Sequence, residues 1–150
     1  MVWIFGGGYI TGDAADPLFD GTNLARHDVI VIRANYRLGA LGRGNLGLQD
    51  QLLALRWVQD NAAALGGDAT RVTLFGESAG AMSICNLLTM PSARGLFRAA
   101  IAQSGAGSNV SLAEHAEEAN RRWVEGRAKL SEPHDPAALM NLQIQLSREL

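Results

Sequence analysis

Val72-Thr73-Leu74-Phe75-Gly76-Glu77-Ser78-Ala79-Gly80-Ala81-Met82 decides how the rest of the chain is read. Its opening run is β-branched and apolar without polar alternation, the pattern of a parallel strand buried on both faces. Gly76-Glu77-Ser78-Ala79-Gly80 then places a G-x-S-x-G in a single turn, and the residues after it predict a helix over 79–90, ended by Pro91. Working outward, similar runs at 2–5, 29–32 and, more weakly, 99–102 predict three further strands. Leu48, Leu52, Leu55, Val58, Ala62 and Leu65 share one face of a helix over 46–65, with Asn45 as its cap and Gly66-Gly67 as its stop. Two more helices are expected over 113–126 and 136–150. Strands alternating with helices imply a parallel sheet joined by right-handed crossovers, an α/β fold.

The chain has 150 residues, 47% of them hydrophobic and 19% charged, with a formal net charge of −2. That is one domain over 1–150, with surface enough to bury one core. The balanced charge and the lack of a basic run argue against an electrostatic footprint for nucleic acid or an anionic membrane. No window approaches the roughly 18 consecutive apolar residues of a membrane span, and the first residues do not read as a leader. Localisation is left open. The single cysteine, Cys85, excludes an internal disulfide framework and a thiolate metal cluster, and neither a metal nor a cofactor is called for. Cys85 is expected to pack rather than react. Trp57 and Trp123 are expected on helix faces or in the core, and the acidic residues of the last two helices on solvated faces.

Between strand and helix, the G-x-S-x-G has a mechanical meaning. The turn is so tight that its serine takes a strained conformation, and the flanking glycines remove side chains that would clash. Ser78 is then presented at the carboxyl end of its strand. The helix aims its amino terminus at the same place, where free N–H groups favour a developing oxyanion. The plainer alternative is a glycine-rich turn whose serine caps the helix. Gly6-Gly7-Gly8 follows the first strand, and glycines there let a loop turn its amides inward, with Gly7 and Gly8 as oxyanion donors beside the Ala79 amide. The alternative is a simple strand-end turn.

Val2-Trp3-Ile4-Phe5-Gly6-Gly7-Gly8, Asn35-Tyr36-Arg37-Leu38-Gly39, Gly44-Asn45-Leu46-Gly47-Leu48-Gln49-Asp50-Gln51, Phe75-Gly76-Glu77-Ser78-Ala79-Gly80 and Gln103-Ser104-Gly105 occur in that order. Together, over about 2–106, they resemble the type-B carboxylesterases, the family of the cholinesterases and the bacterial para-nitrobenzyl-type esterases. The resemblance implies the α/β-hydrolase fold in part, a serine nucleophile at Ser78, and an oxyanion hole from the amides of Gly7, Gly8 and Ala79. It also implies that Glu77 lines the site and that Ser104 supports the catalytic acid; the alternative for Ser104 is a strand-end hydroxyl bonded to local backbone.

The chain departs from the family in two places. In the α/β-hydrolase order an Asp or Glu and then a His follow the serine; in this family both lie later in a chain several times longer, so acid and base are expected outside these residues. The resemblance places this chain at the third to sixth strands of an eight-stranded sheet. His27 is expected at the amino end of its strand, away from the site. His115 falls in the first turn of a helix and His134 between helices, and neither follows a further sheet strand. The second departure is a shortened loop between Leu41 and Gly44. It creates a formal G-x-G-x-x-G at Gly42, Gly44 and Gly47, the signature of a dinucleotide-binding turn. The strand ends well before Gly42 and no acid stands at the end of the next strand roughly 20 residues on, which makes this the remote alternative.

The sequence thus supports a carboxylic ester hydrolase acting on a small-molecule ester. Two alternatives remain: a catalytically incomplete piece of such an enzyme, or an interaction module on the same fold, against which the presence of Ser78 argues. The outer strands of such a sheet would be bare edges, open to association with other chains. The ester itself is not legible, because the loops that shape acyl and alcohol pockets are largely absent from these residues.

Overall fold

Val2–Ile4 (β1), Ile32–Arg33 (β2), Thr73–Glu77 (β3) and Ala99–Gln103 (β4) form one sheet in the order β2-β1-β3-β4 in the computed structural model, which describes residues 1–107 and 110–148. Every pairing is parallel. Val2 stands opposite Ile32 on one side and Leu74 on the other, and Leu74 opposite Ala100. The second strand is shorter than its apolar run because β1 begins at Val2, opposite Ile32, leaving 29–31 without a ladder beside them. The Met1 ammonium donates to the Ile30 carbonyl at 2.6 Å and continues the register by one contact.

Crossovers are made by Leu46–Asn61 (α2), between β2 and β3, and Ala79–Thr89 (α3), between β3 and β4. Both move the same way across the sheet, so right-handed connections put them on one face. There Val2, Ile4 and Leu74 meet Leu52, Leu55, Val58, Ile84 and Leu87, all buried. Trp3 alternates to the other face, its ring 4.9 Å from Phe75 and 5.3 Å from Phe19. A short helix, Thr22–Ala25 (α1), precedes β2.

Asn45 does not cap α2. It sits at φ 64°, ψ 20° and makes no side-chain cap bond; side-chain capping needs an extended residue, whereas asparagine is one of the few that tolerate the left-handed region. The helix ends at Asn61 rather than at 65. Gly66, at φ +79°, and a bond from Gly67 N–H to Ala62 O at 2.8 Å form the stop. Leu65 therefore leaves the buried face and is exposed, as is Trp57. The pair Arg37–Asp50 ties the segment after β2 to α2: Asp50 accepts two guanidinium bonds, at 2.7 Å each, and the Arg37 amide at 3.0 Å.

β4 is not buried on both faces, as its apolar run suggested. Four of its five residues are exposed, and among the described residues it pairs only with β3. Beyond it, Ala113–Ala128 (α4) and Pro136–Ser147 (α5) pack on each other around buried Trp123 and Leu142. The last part of the expected final helix, 149–150, lies outside the described residues. Asp135 caps α5 by accepting from the Ala138 amide at 2.8 Å. The pair is joined to the body where Gln143 Oε1 accepts from the Ala40 amide at 2.9 Å.

Candidate active site

The carboxyl ends of β1, β3 and β4 converge on one residue. Ser78 lies between β3 and α3 at φ 54°, ψ −122°, a region that side chains seldom adopt and that persists only where its surroundings enforce it. Its amide donates to the Gln103 carbonyl of β4 at 2.9 Å, and its carbonyl accepts from the Met82 amide at 3.0 Å, the first bond of the helix. The serine side chain makes no cap bond to that helix. The hydroxyl is therefore not spent on capping, the plainer role weighed for it. Ala79, buried at the first helical position, is left with an amide that has no partner within the helix.

Two glycines make this turn possible by close approach. A Cβ on Gly80 would run into the carbonyl of Ile4, and a Cβ on Gly6 would lie 2.8 Å from the Glu77 carbonyl and 3.0 Å from Ser78 Cβ. The loop after β1 is thus pressed directly against the serine. From there the backbone turns left-handed for three residues, Gly7 at φ 109°, Gly8 at 62° and Tyr9 at 62°. Gly7 and Gly8 are exposed, and the Gly7 carbonyl accepts from Ile10 and Thr11 at 3.0 and 3.1 Å. The start of the loop is anchored by Tyr36, whose buried hydroxyl donates to the Phe5 carbonyl at 2.6 Å while its ring stacks on Phe5 with centroids 4.4 Å apart. Burial pushes the Tyr36 hydroxyl far above its ordinary pKa, so it stays a donor.

Glu77 ends β3, exposed, with Oε2 3.0 Å from the position a Cβ on Gly6 would take. Ser104 follows β4 at φ 54°, exposed, and its hydroxyl makes no local backbone bond among the described residues. The three histidines are elsewhere. His27 and His115 are exposed, and His134 Nδ1 lies 3.1 Å from Arg127 Nη2; none bonds Ser78 among the described residues. No group of side chains suited to a metal ion occurs among the described residues. No described helix is long and apolar enough to cross a membrane. Cys85 is half-buried in α3 and in no disulfide.

Sequence reading passed over Tyr36, Tyr9, Ser83 and Gln51, which hold the loop from behind. The available signal was a polar residue on an apolar helical face, Gln51 between Leu48 and Leu55. The Gly42-x-Gly44-x-x-Gly47 pattern opens α2 well past the end of β2, with Arg43 Nη1 donating to the Ala40 carbonyl at 2.8 Å, and does not form a strand-to-helix turn.

Comparison with known proteins agrees with this architecture. The para-nitrobenzyl esterase of Bacillus subtilis is 50% identical over 122 residues, 73% of this chain and 25% of that protein. Mouse cholinesterase is 48% identical over 135 residues, 83% of this chain and 22% of its own length. The chain thus spans about a quarter of the curated relatives it matches. Among solved structures, a thermophilic PNB esterase superposes with a TM-score of 0.90 at 40% identity, over 99% of this chain and 34% of that one. A carboxylesterase of Geobacillus stearothermophilus does so with a TM-score of 0.90 at 37% identity, over 99% and 37%. The four parallel strands and their helices are accordingly part of an α/β-hydrolase fold. With the carboxylesterase family model matching residues 1–138, the chain belongs to the carboxylesterase family.

Proposed function

We propose that these residues supply the nucleophile and oxyanion hole of a carboxylic ester hydrolase acting on a small-molecule ester. The observation that carries the reading is Ser78 at φ 54°, ψ −122°, with a hydroxyl not used for capping, pressed against the glycine loop. Ser78 Oγ attacks the ester carbonyl carbon, and a histidine base takes its proton. The carbonyl oxygen becomes an oxyanion held by the amides of Gly7, Gly8 and Ala79. Collapse expels the alcohol, which takes the proton back, and water then releases the acid from the acyl-serine by the same route. Glu77 lines the pocket beside Gly6, and Ser104 supports the acid. In the α/β-hydrolase order the acid and the histidine follow the serine and are supplied from outside these residues; none of His27, His115 and His134 bonds Ser78 among the described residues.

The test is Ser78→Ala in the protein that joins this chain to its acid and histidine. Ester turnover should fall roughly 10⁴-fold or more; retained turnover would overturn the assignment. A second reading follows from the histidines, none of which bonds Ser78 among the described residues: the 150-residue chain alone is catalytically incomplete. A fluorophosphonate applied to it should label Ser78 only slowly, and rapid stoichiometric labelling would show that a base is present after all.

A further inference from the structure

Two polar side chains are buried in the core on the helical face of the sheet. Gln51, on α2, is 5% exposed and Ser83, on α3, 1%. Buried polar groups are costly unless they are bonded, and the bonds made here by Gln51 Nε2 and Ser83 Oγ lead out of the core to the glycine loop. Gln51 Nε2 donates to Ser83 Oγ at 3.2 Å, and Ser83 Oγ donates to Tyr9 Oη at 3.4 Å. Tyr9 is the residue directly after Gly7 and Gly8. Its other end is also fixed, because its carbonyl accepts from the Gly39 amide at 2.6 Å. Ser83 stands four residues after Ala79, one helical turn along the same face of α3. The helix that carries the Ala79 amide therefore also carries the point from which the loop is hung.

We propose that Tyr9, tied through Ser83 to Gln51, is a positioning residue that sets the spacing between the Gly7 and Gly8 amides and the Ala79 amide. This rests on the esterase reading of the same site. Oxyanion donors act only when aimed at where charge develops, and a three-residue left-handed run ending in a tyrosine has no intrinsic preference for that aim. The bond between α3 and the phenol supplies it. Tyr9→Phe should leave the fold intact, because Ser83 Oγ keeps the bond it accepts from Gln51 Nε2.

The experiment uses Tyr9→Phe, Ser83→Ala and the double variant in the active esterase that carries this chain. In each, kcat should fall roughly tenfold with KM within about twofold. The affinity for a trifluoromethyl ketone, which forms a tetrahedral oxyanion on the serine, should fall by the same factor as kcat/KM. The double variant should lose no more than either single one, because both break one tie. An unchanged kcat, a loss confined to KM, or losses that multiply would each overturn the proposal. If Ser78→Ala kills turnover and Tyr9→Phe does not, the positioning role fails while the esterase reading stands; if Ser78→Ala is active, both fail. On the 150-residue chain alone, Tyr9→Phe should speed exchange of the amides bonded to the loop, those of Ile10, Thr11 and Gly39, and leave Gly76 and Gly80 unchanged. Unaltered exchange at the loop would refute the tie without any need for turnover.

Discussion

Gly80 has no space for even a methyl group, since any Cβ there meets the Ile4 carbonyl of the neighbouring strand. The obstructing atoms, in the carbonyls of Ile4 and Phe5, are backbone at the end of a paired strand and do not yield cheaply. Gly80→Ala should destabilise the fold by roughly 1–3 kcal/mol, the range of overpacked cores, despite alanine's better helix propensity. A lowered denaturant midpoint at unchanged m-value checks this, and an unaltered midpoint would mean that β1 and α3 are not in the contact described. The same residue shows what was legible in the sequence: the strand, the tight glycine-flanked turn at Ser78 and the helix after it lie where the pattern predicts them. Asn45 shows the converse. An asparagine before a helix satisfies the composition of a cap, yet its left-handed backbone is a property of the turn, which composition does not carry.

At the scale of elements, α4 has a surface built from charge rather than from apolar contact. Glu118 accepts from Arg121 Nη2 and Arg122 Nε at 2.7 Å each and from Arg121 Nε at 2.9 Å, while Arg121 also reaches Glu125 at 2.7 Å. The hydrogen bonds from Arg121 and then Arg122 hold the Glu118 carboxyl down at about 2, against 4.5 for a free glutamate. Because the folded value is depressed, whatever stability the cluster contributes is complete above about 4.5 and is lost as the pH falls through about 2. The groups are solvent-exposed, so the effect on global stability is small, and the measurement belongs on the residue itself. A side-chain carboxyl titration by NMR should place Glu118 well below 4.5, and Arg121→Ala should move it upward; a midpoint at 4.5 in the parent would refute the cluster. These helices were legible from charge patterning and turn residues. Their join to the body was not, since Gln143 meets Ala40 across most of the sequence and nothing local in either segment announces it.

For the molecule as a whole, the outstanding feature is the sheet's edge. Hydrophobic runs identified four strands, but they carried no information on which would be covered, because a strand's composition is the same whether its neighbour is present or not. In the structure β4 borders β3 on one side, and its Ala99, Ile101, Ala102 and Gln103 are exposed, Ile101 by 47%. Four of its five residues are apolar, and among the described residues no strand pairs with its outer row of amides and carbonyls, which makes it a template for another strand. No proline, charge or bulge within Ala99–Gln103 blunts it. β2, at the opposite edge, is only two residues long and ends in Arg33, so it is the weaker template. The isolated chain should therefore self-associate through β4 as its concentration rises. Ile101→Lys puts a charge in the middle of that strand on an already exposed position, where it leaves the buried core on the α2 and α3 face intact while charge repulsion opposes pairing between copies. Sedimentation velocity over a concentration series should show the parent shifting to larger species and Ile101→Lys remaining monomeric. Equal association by both would assign the contact to another surface, and a monomeric parent would show that the bare edge does not pair at all.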